Sequence, residues 1–236
     1  CSTILLAGTD KSGDRTDTVM LLSVDRSAKR LTLLSIPRDT KVNSTYTPHK
    51  INIAYGVNGK DQEGMEALMD YVTELVGFRP DGYVLIDLDV FVDLVDKMGG
   101  VKFDVPCDMD YSDPAQDLTI DLKAGMQRLN GEQAMGLVRF RSGYATADIG
   151  RIGTQQDFLM SIASQFLSLG SIPHLTEFIN IFEEYVLTNM DTANLAFFAR
   201  QFLMCSSDNI KFQTIPANTN DAIKGLSYVS IDVSDW

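Results

Sequence analysis

Short apolar runs alternate with longer amphipathic stretches along this chain, a pattern typical of α/β proteins. Strands are predicted at Thr3–Ala7, Thr18–Val24, Arg30–Ile36, Tyr83–Ile86, Val101–Val105, Ile210–Ile215 and Ser227–Val233. The second and third runs flank Asp25-Arg26-Ser27, which predicts a hairpin. Because both runs are nearly continuous in apolar residues, we expect them to lie centrally in a sheet that is covered on both faces.

Helical spacing of apolar residues predicts the remaining elements. Helices are predicted at Glu63–Val76, Asp87–Met98, Asn130–Val138, Asp157–Leu169, His174–Leu187 and Thr192–Met204. Asn130 is expected to cap its helix, with Gln133 capping in return. The acidic, proline-containing segment Cys107–Gln116 is predicted to be a loop. The fold class that follows is α/β, a single domain over residues 1–236 with a central mixed β-sheet and helices on both faces.

Charge limits the classes of ligand. The chain of 236 residues carries a net charge of −12, and its 44% hydrophobic content is that of a folded protein. This balance argues against nucleic acid as a partner and against non-specific binding to an anionic bilayer. An anionic ligand must therefore be bound by a local basic site.

Cysteine and histidine give no sign of a metal centre or of a disulfide framework. Three cysteines allow one bridge at most, and neither histidine lies at zinc-site spacing. The chain contains no stretch of eighteen apolar residues, and we expect a soluble domain whose targeting segment is not part of this sequence.

A local basic site is indicated between Arg139 and Gln156. This stretch holds Arg139, Arg141 and Arg151, three of the ten arginines of the chain. Guanidinium groups match the oxygens of phosphate and carboxylate, so the cluster is a candidate for binding either. The alternative is a solvated basic turn paired with nearby acids.

Polar residues at the strand ends form a second candidate group. Arg15 and Asp17 stand at the start of the second strand, Arg38 and Asp39 follow the third, and Asp10 follows the first. In an antiparallel hairpin the start of one strand lies beside the end of the other, so these residues are expected at one sheet edge. Aspartates among arginines suit Mg²⁺ together with a polyanion, although a surface ion-pair cluster would have the same spacing.

The order of these motifs resembles a known family. The segments GTD, RTDT, SIPRDT, KINIAY, GGV, LNGEQAMGLVRFR and DIGRIGTQQ occur in unbroken order between Thr3 and Leu159. This order resembles the LytR-CpsA-Psr family of bacterial cell-wall enzymes. The segments beyond Leu159 fit that family only in general pattern.

The resemblance implies a function and a location. Members transfer a teichoic-acid-like or capsule-like glycopolymer from an undecaprenyl-pyrophosphate carrier to peptidoglycan, with Mg²⁺. It further implies a single-pass, N-terminally anchored enzyme on the extracytoplasmic face of the membrane of a Gram-positive-type cell, with the anchor outside this sequence. The prenyl chain is expected in an apolar tunnel. The phenylalanines of the C-terminal helices would then line a groove or, in the plainer alternative, form ordinary core.

The resemblance also assigns roles to residues. It places Asp10 and Asp17 on the metal. The residues expected around the pyrophosphate are Arg15, Arg38, Lys50, Arg139, Arg141, Arg151 and Gln155. Those expected to be catalytic are Arg15, Asp17, Arg38, Arg139, Arg141 and Arg151. The chain departs from the family pattern at Thr154, where many relatives carry arginine, and after Tyr55, where GVNGK replaces a common Gly-Gly pair.

The expected reaction is attack of an acceptor hydroxyl on the sugar-linked phosphorus, with the general base unassigned. Two alternatives stay open. One is a phosphohydrolase that uses water in place of the sugar hydroxyl. The other is a non-catalytic module that binds polyprenyl phosphates, for which Thr154 gives some support.

Overall fold

A computed structural model describes residues 2–9, 13–114, 118–140, 154–155, 157–162, 164–165, 186–205, 209–223 and 226–231. The strands are β1 (Ser2–Thr9), β2 (Thr16–Asp25), β3 (Arg30–Ser35), β4 (Gly82–Ile86), β5 (Val101–Val105), β6 (Met109–Asp113), β7 (Leu118–Leu122), β8 (Gly125–Leu129), β9 (Leu187–Thr188), β10 (Ile210–Thr214), β11 (Ala217–Ile223) and β12 (Leu226–Ile231). The helices are α1 (Ala54–Val57), α2 (Gln62–Val76), α3 (Leu88–Lys97), α4 (Gly131–Arg139) and α5 (Thr192–Met204). Two compact units divide the chain, Cys1–Asp87 with Glu177–Trp236, and Leu88–Thr176.

The first unit is built on a six-stranded mixed sheet with the order β10-β3-β2-β1-β4-β9. Strand β2 runs antiparallel to both β1 and β3, whereas β1 pairs parallel with β4 and β3 pairs parallel with β10. Strands β1, β3, β4 and β10 therefore point the same way. Their carboxyl ends lie at one edge of the sheet, which we call the carboxyl edge.

Helix α2 covers the sheet because its sequence provides both a cap and an apolar face. Asp61 accepts hydrogen bonds from the backbone N–H groups of Glu63 (2.9 Å) and Gly64 (3.4 Å), and the helix ends at Gly77 with a φ of +79°. The fully buried side chains of α2 pack in one core with those of the sheet; they are Met65, Leu68, Met69 and Val72 from the helix and Leu5, Ala7, Val19, Leu21, Tyr83 and Leu85 from the strands.

The second unit combines α3 and α4 with two antiparallel sheets of two strands each, β5–β8 and β6–β7. The predicted capping box is present: Gln133 N donates to Asn130 Oδ1 at 2.8 Å, and Asn130 N donates to Gln133 Oε1 at 3.0 Å. The core of this unit contains Phe158, which is fully buried and lies 5.3 Å from the Phe103 ring.

The predicted class, with a mixed central sheet and helices, is confirmed, as are the β2–β3 hairpin and helix Thr192–Met204. The loop predicted at Cys107–Gln116 is wrong, because β6 forms there and pairs with β7. Residue Leu187, expected to end a helix, belongs to β9. Most of that predicted helix, and the end of the one beginning at Asp157, lie outside the described residues.

Strands β7, β8 and β11 and the short helical turns between residues 51 and 57 were not predicted from the sequence. Within the described ranges no helix is both long and apolar enough to cross a membrane.

Candidate functional site

The polar strand-end motifs of the first unit lie along the carboxyl edge of the six-stranded sheet. In the register of the β2–β3 hairpin, Met20 pairs with Ser35, so the start of β2 lies beside the turn that follows β3. Ligands of α/β proteins bind outside the carboxyl ends of the strands. The topology therefore places the RTDT and PRDT motifs where such proteins bind their ligands.

A tight turn after β3 presents Arg38. The backbone N–H and the hydroxyl of Thr40 both donate to Pro37 O, at 2.9 and 2.6 Å, which closes the turn. Arg38 Nη1 then donates to Asp17 Oδ1 at 2.7 Å, and the two side chains are 28% and 41% exposed. The hairpin geometry thus joins Asp17 and Arg38, as the sequence predicts.

A second ion pair lies on the same turn. Lys50 Nζ is 2.9 Å from Asp39 Oδ1, and the Lys50 side chain is only 17% exposed. The segment that carries Lys50 is fixed by its backbone, since Ile51 N donates to Thr40 O at 2.9 Å. Lys50 is therefore held by the element that also holds Arg38.

Asn52 connects three of the motifs. Its N–H donates to Arg38 O at 3.2 Å, and its carbonyl accepts a 3.4 Å hydrogen bond from the Thr16 hydroxyl. Asn52 is 4% exposed, and within the described part of the chain its Oδ1 has no hydrogen-bond partner. An unpaired buried acceptor is costly, so Asn52, which the sequence did not single out, is a further candidate residue of this site.

The hairpin β11–β12 is hydrogen-bonded to the turn that carries Arg38 and Asp39. Val229 N donates to Asp39 O at 3.0 Å, and Lys41 N donates to Val229 O at 2.8 Å. The adjacent Tyr228 is buried, and its ring centroid lies 5.7 Å from Lys50 Nζ, within cation–π range. No motif in the sequence connects Tyr228 to Lys50, so this contact emerges only in three dimensions.

The loop before β2, which carries the exposed Arg15, is supported by the GVNGK segment. A Cβ atom on Gly56 would lie 2.0 Å from Asp14 O, so only glycine fits at this close approach. Lys60 forms an ion pair with Asp14, and its carbonyl accepts a 2.6 Å hydrogen bond from the Tyr55 hydroxyl. The segment that departs from the family pattern therefore contacts the described part of this loop, residues 13–15, closely.

The structure describes one of the two residues that were predicted to bind the metal ion. Asp10 lies outside the described residues, and Asp17 contacts Arg38. The described residues include no group of three His, Cys, Asp or Glu side chains that could hold a metal ion. Mg²⁺ usually takes one or two carboxylates and completes its shell with water and substrate phosphate. Asp17 at a basic edge fits an ion of that kind and does not fit a cage made of protein ligands alone.

The predicted cations of the second unit are described in part. Arg139 is the last residue of α4 and is half-buried. Gln155 Nε2 donates to Val138 O at 2.8 Å, which ties the helical residues 154–155 to the end of α4. Thr154 is 7% exposed. Arg141 and Arg151 lie outside the described residues, and their roles stay predictions.

Comparison with known proteins identifies the family. The model of the LytR_cpsA_psr family matches residues 1–235. The chain belongs to the LytR-CpsA-Psr family. The resemblance seen in the motifs is thereby confirmed, and the family match spans both compact units.

Individual relatives agree with this family assignment. The chain is 33% identical over 181 residues to the Bacillus subtilis polyisoprenyl-teichoic acid–peptidoglycan teichoic acid transferase TagV, covering 75% of this chain and 45% of TagV. It is 30% identical over 257 residues to the cell wall biosynthesis protein LcpA of Corynebacterium glutamicum, covering 98% of this chain and 49% of LcpA. The chain thus spans about half the length of these two curated relatives.

A solved structure supports the fold of this LytR-CpsA-Psr member. The crystal structure of B. subtilis TagV superposes with a TM-score of 0.77 at 27% identity, covering 99% of this chain and 92% of that one.

Proposed function

We propose that this chain is a phosphotransferase of cell-wall assembly, which moves a glycopolymer from a polyprenyl-pyrophosphate carrier onto peptidoglycan. The observation that carries the proposal is the pairing of Arg38 with Asp17 and of Lys50 with Asp39 at the carboxyl edge of the sheet. Family membership and the teichoic-acid transferase named among its relatives support the substrate class.

The chemistry of the edge suits phosphoryl transfer, which needs positioning and charge neutralisation more than covalent help from the protein. Arg38 offers a planar fork for two phosphate oxygens, and Lys50 offers a compact point charge. Asp17 and Asp39 fix the two cations before a ligand arrives, so less side-chain freedom is lost on binding.

In the proposed reaction an acceptor-sugar hydroxyl attacks the sugar-linked phosphorus. A new oxygen–phosphorus bond forms and the bridging phosphorus–oxygen bond breaks, with its electron pair leaving on the polyprenyl monophosphate. The hydroxyl proton passes to a base that stays unassigned. Arg38 and Lys50 stabilise the charge that develops on the phosphate oxygens.

Mg²⁺ is part of the proposal. Asp17, together with Asp10 as the family resemblance implies, would hold the ion, and bound Mg²⁺ would supply neutralisation of the pyrophosphate charge. The proposed location is the extracytoplasmic face of the cell membrane, reached through an N-terminal anchor.

The test is incubation of the protein with a short polyprenyl-pyrophosphate-linked saccharide, with Mg²⁺ or with EDTA, and with or without peptidoglycan oligosaccharides. Mass spectrometry follows the products. A saccharide–phosphate adduct of the peptidoglycan fragment that requires Mg²⁺ is expected. Release of polyprenyl phosphate with water as the acceptor would identify a phosphohydrolase instead, and intact substrate bound to the protein would identify a binding module.

Arg38→Ala tests the site, and Arg79→Ala is its matched control. Arg79 is also an exposed arginine of the first unit paired with carboxylates, those of Glu66 and Asp70, but it follows α2 and precedes β4. Loss of product with the first variant and retention with the second is expected. Equal activity of both variants would refute the assignment of Arg38.

A further inference from the structure

A second basic site lies at the opposite end of the six-stranded sheet, beside the β2–β3 turn. A cavity of about 560 Å³ is formed there between the turn and helix α5. Strand β2 spans ten residues, so at roughly 3.3 Å per residue the cavity is about 30 Å from the carboxyl edge. The volume is within the usual range of small-molecule sites.

Three cations line this cavity: Arg26 and Lys29 from the turn, and Arg200 from α5. Among the residues that the structure describes, the lining includes no carboxylate and these cations form no ion pair. In a chain with a net charge of −12, three cations that have no acidic partner among the described residues are a candidate binding site for an anion.

The helix wall is partly apolar, and Arg200 and Gln201 are its polar residues. Ala193, Ala196, Phe197 and Met204 lie on the same face of α5 as Arg200, at helical spacing. The guanidinium carbon of Arg26 lies 5.6 Å from the centroid of the Phe197 ring, and Met204 is 57% exposed. A ligand that fills the site can therefore place an apolar part on this wall beside its anionic group.

The two walls are fixed in place. Asp25 Oδ1 accepts hydrogen bonds from Ser27 N (3.0 Å), Ser27 Oγ (2.7 Å) and Ala28 N (3.0 Å), which stiffens the turn. Cys205 Sγ, directly after α5, donates to Lys29 O at 3.3 Å and ties the helix end to the turn. A cavity held in this way loses little freedom when a ligand binds.

We propose that this cavity binds a phosphate-monoester amphiphile, with its phosphate among Arg26, Lys29 and Arg200 and its chain on Phe197 and Met204. A phosphate monoester carries a charge between one and two units, so it neutralises three cations that lack a described acidic partner better than a ligand with a single carboxylate would. A hydrocarbon chain alone offers no counterpart to these cations. The proposal is independent of the transfer reaction at the carboxyl edge.

The probe is dihexanoyl phosphatidic acid below its micelle concentration, and the readout is the ¹³C-methyl signal of Met204, assigned with Met204→Leu. A saturable shift is expected, and dihexanoyl phosphatidylcholine should produce none. Arg26→Ala and Arg200→Ala should each weaken binding about tenfold. Arg30→Ala is the matched control, since Arg30 is an exposed cation of the same turn that pairs with Asp25 and does not line the cavity. It should change the affinity less than about twofold.

Vesicles with and without phosphatidic acid separate the two sources of such a ligand. Monomer binding without sedimentation on vesicles indicates a free amphiphile, and monomer binding with sedimentation indicates a bilayer lipid; both agree with the proposal. Three results would overturn it: equal binding of the neutral lipid, equal weakening by Arg30→Ala and Arg26→Ala, or binding to vesicles without any binding of the monomer.

Discussion

The two ends of the six-stranded sheet carry cations in different settings. At the carboxyl edge Arg38 and Lys50 are paired with Asp17 and Asp39, at 2.7 and 2.9 Å. At the turn end Arg26 contacts an aromatic ring, and the described lining of the cavity includes no carboxylate. Because an anionic ligand at the carboxyl edge must compete with two carboxylates, we expect that edge to favour a more highly charged ligand than the turn end. The turn end can accept a single phosphate without breaking any described ion pair.

The proposed difference between the two ends of the sheet can be tested by removing one cation from each end. Arg38→Ala should reduce turnover about 10²–10³-fold, because a donor to the developing phosphate charge is lost. Arg26→Ala should leave turnover unchanged. Initial rates and thermal unfolding of both variants check the prediction. If Arg26→Ala reduced turnover equally, the two ends would not be separate sites.

Replacing Asp17, the acidic partner of Arg38, should weaken the proposed binding of Mg²⁺. Asp17→Asn is expected to raise the Mg²⁺ concentration for half-maximal activity about tenfold, since a charged ligand becomes neutral. Asp70→Asn is the control, because Asp70 pairs with Arg79 away from the carboxyl edge. An unchanged Mg²⁺ titration for Asp17→Asn would mean that Asp17 only orients Arg38.

The aromatic support of Lys50 should have a smaller effect. Tyr228→Leu should raise KM for the donor about threefold to fivefold, since the ring face under the ammonium is lost. Tyr228→Phe keeps that face and should restore KM. Steady-state kinetics with a urea titration of stability distinguish this role from general packing. Equal impairment of both variants would contradict the cation–π assignment.

The smallest expected effect concerns the turn that carries Arg26 and Lys29. The hydrogen bond from the Ser27 hydroxyl, with those from the backbone, holds the pKa of Asp25 below its usual value of 3.8. A carboxylate with a lowered pKa stabilises the fold above its unfolded-state pKa, and that contribution is lost as the pH falls through the lowered value. NMR titration of the Ser27 and Ala28 amides should therefore show a midpoint below 3.8. A midpoint at or above this value would show that the turn is not closed by Asp25.

Much of the carboxyl edge could be predicted from the sequence because its residues lie on a local hairpin. Two nearly continuous apolar runs and the turn signal between them place β2 beside β3, and the meeting of Asp17 with Arg38 follows from antiparallel pairing. The contact of Tyr228 with Lys50 could not be predicted, since it depends on how a distant hairpin pairs with Asp39 and Lys41.

The error at Cys107–Gln116 has a different cause. Acidic residues and proline suggested a loop, but along β6 the more buried Met109 and Tyr111 alternate with the exposed Asp110 and Ser112. This alternation with a period of two is typical of a strand. Pairing with β7 lets the segment form that strand despite its acidic composition. Strand β9 is only two residues long and is defined by its pairing with Val84 and Leu85, so no local pattern could reveal it.

The backbone hydrogen bonds of Val229 with Asp39 and Lys41 also bear on when the carboxyl edge can fold during synthesis of the chain. Nearly all side chains of the carboxyl edge come from the first quarter of the chain, yet the strand that brackets their turn is the last one described. During synthesis the turn at the carboxyl edge can therefore be completed only after β12 has been made. This holds even if the hairpin that carries Asp17 and Arg38 has already formed. A chain that stops before residue 226 would contain both ion pairs in its sequence and lack the backbone partner that sets their turn.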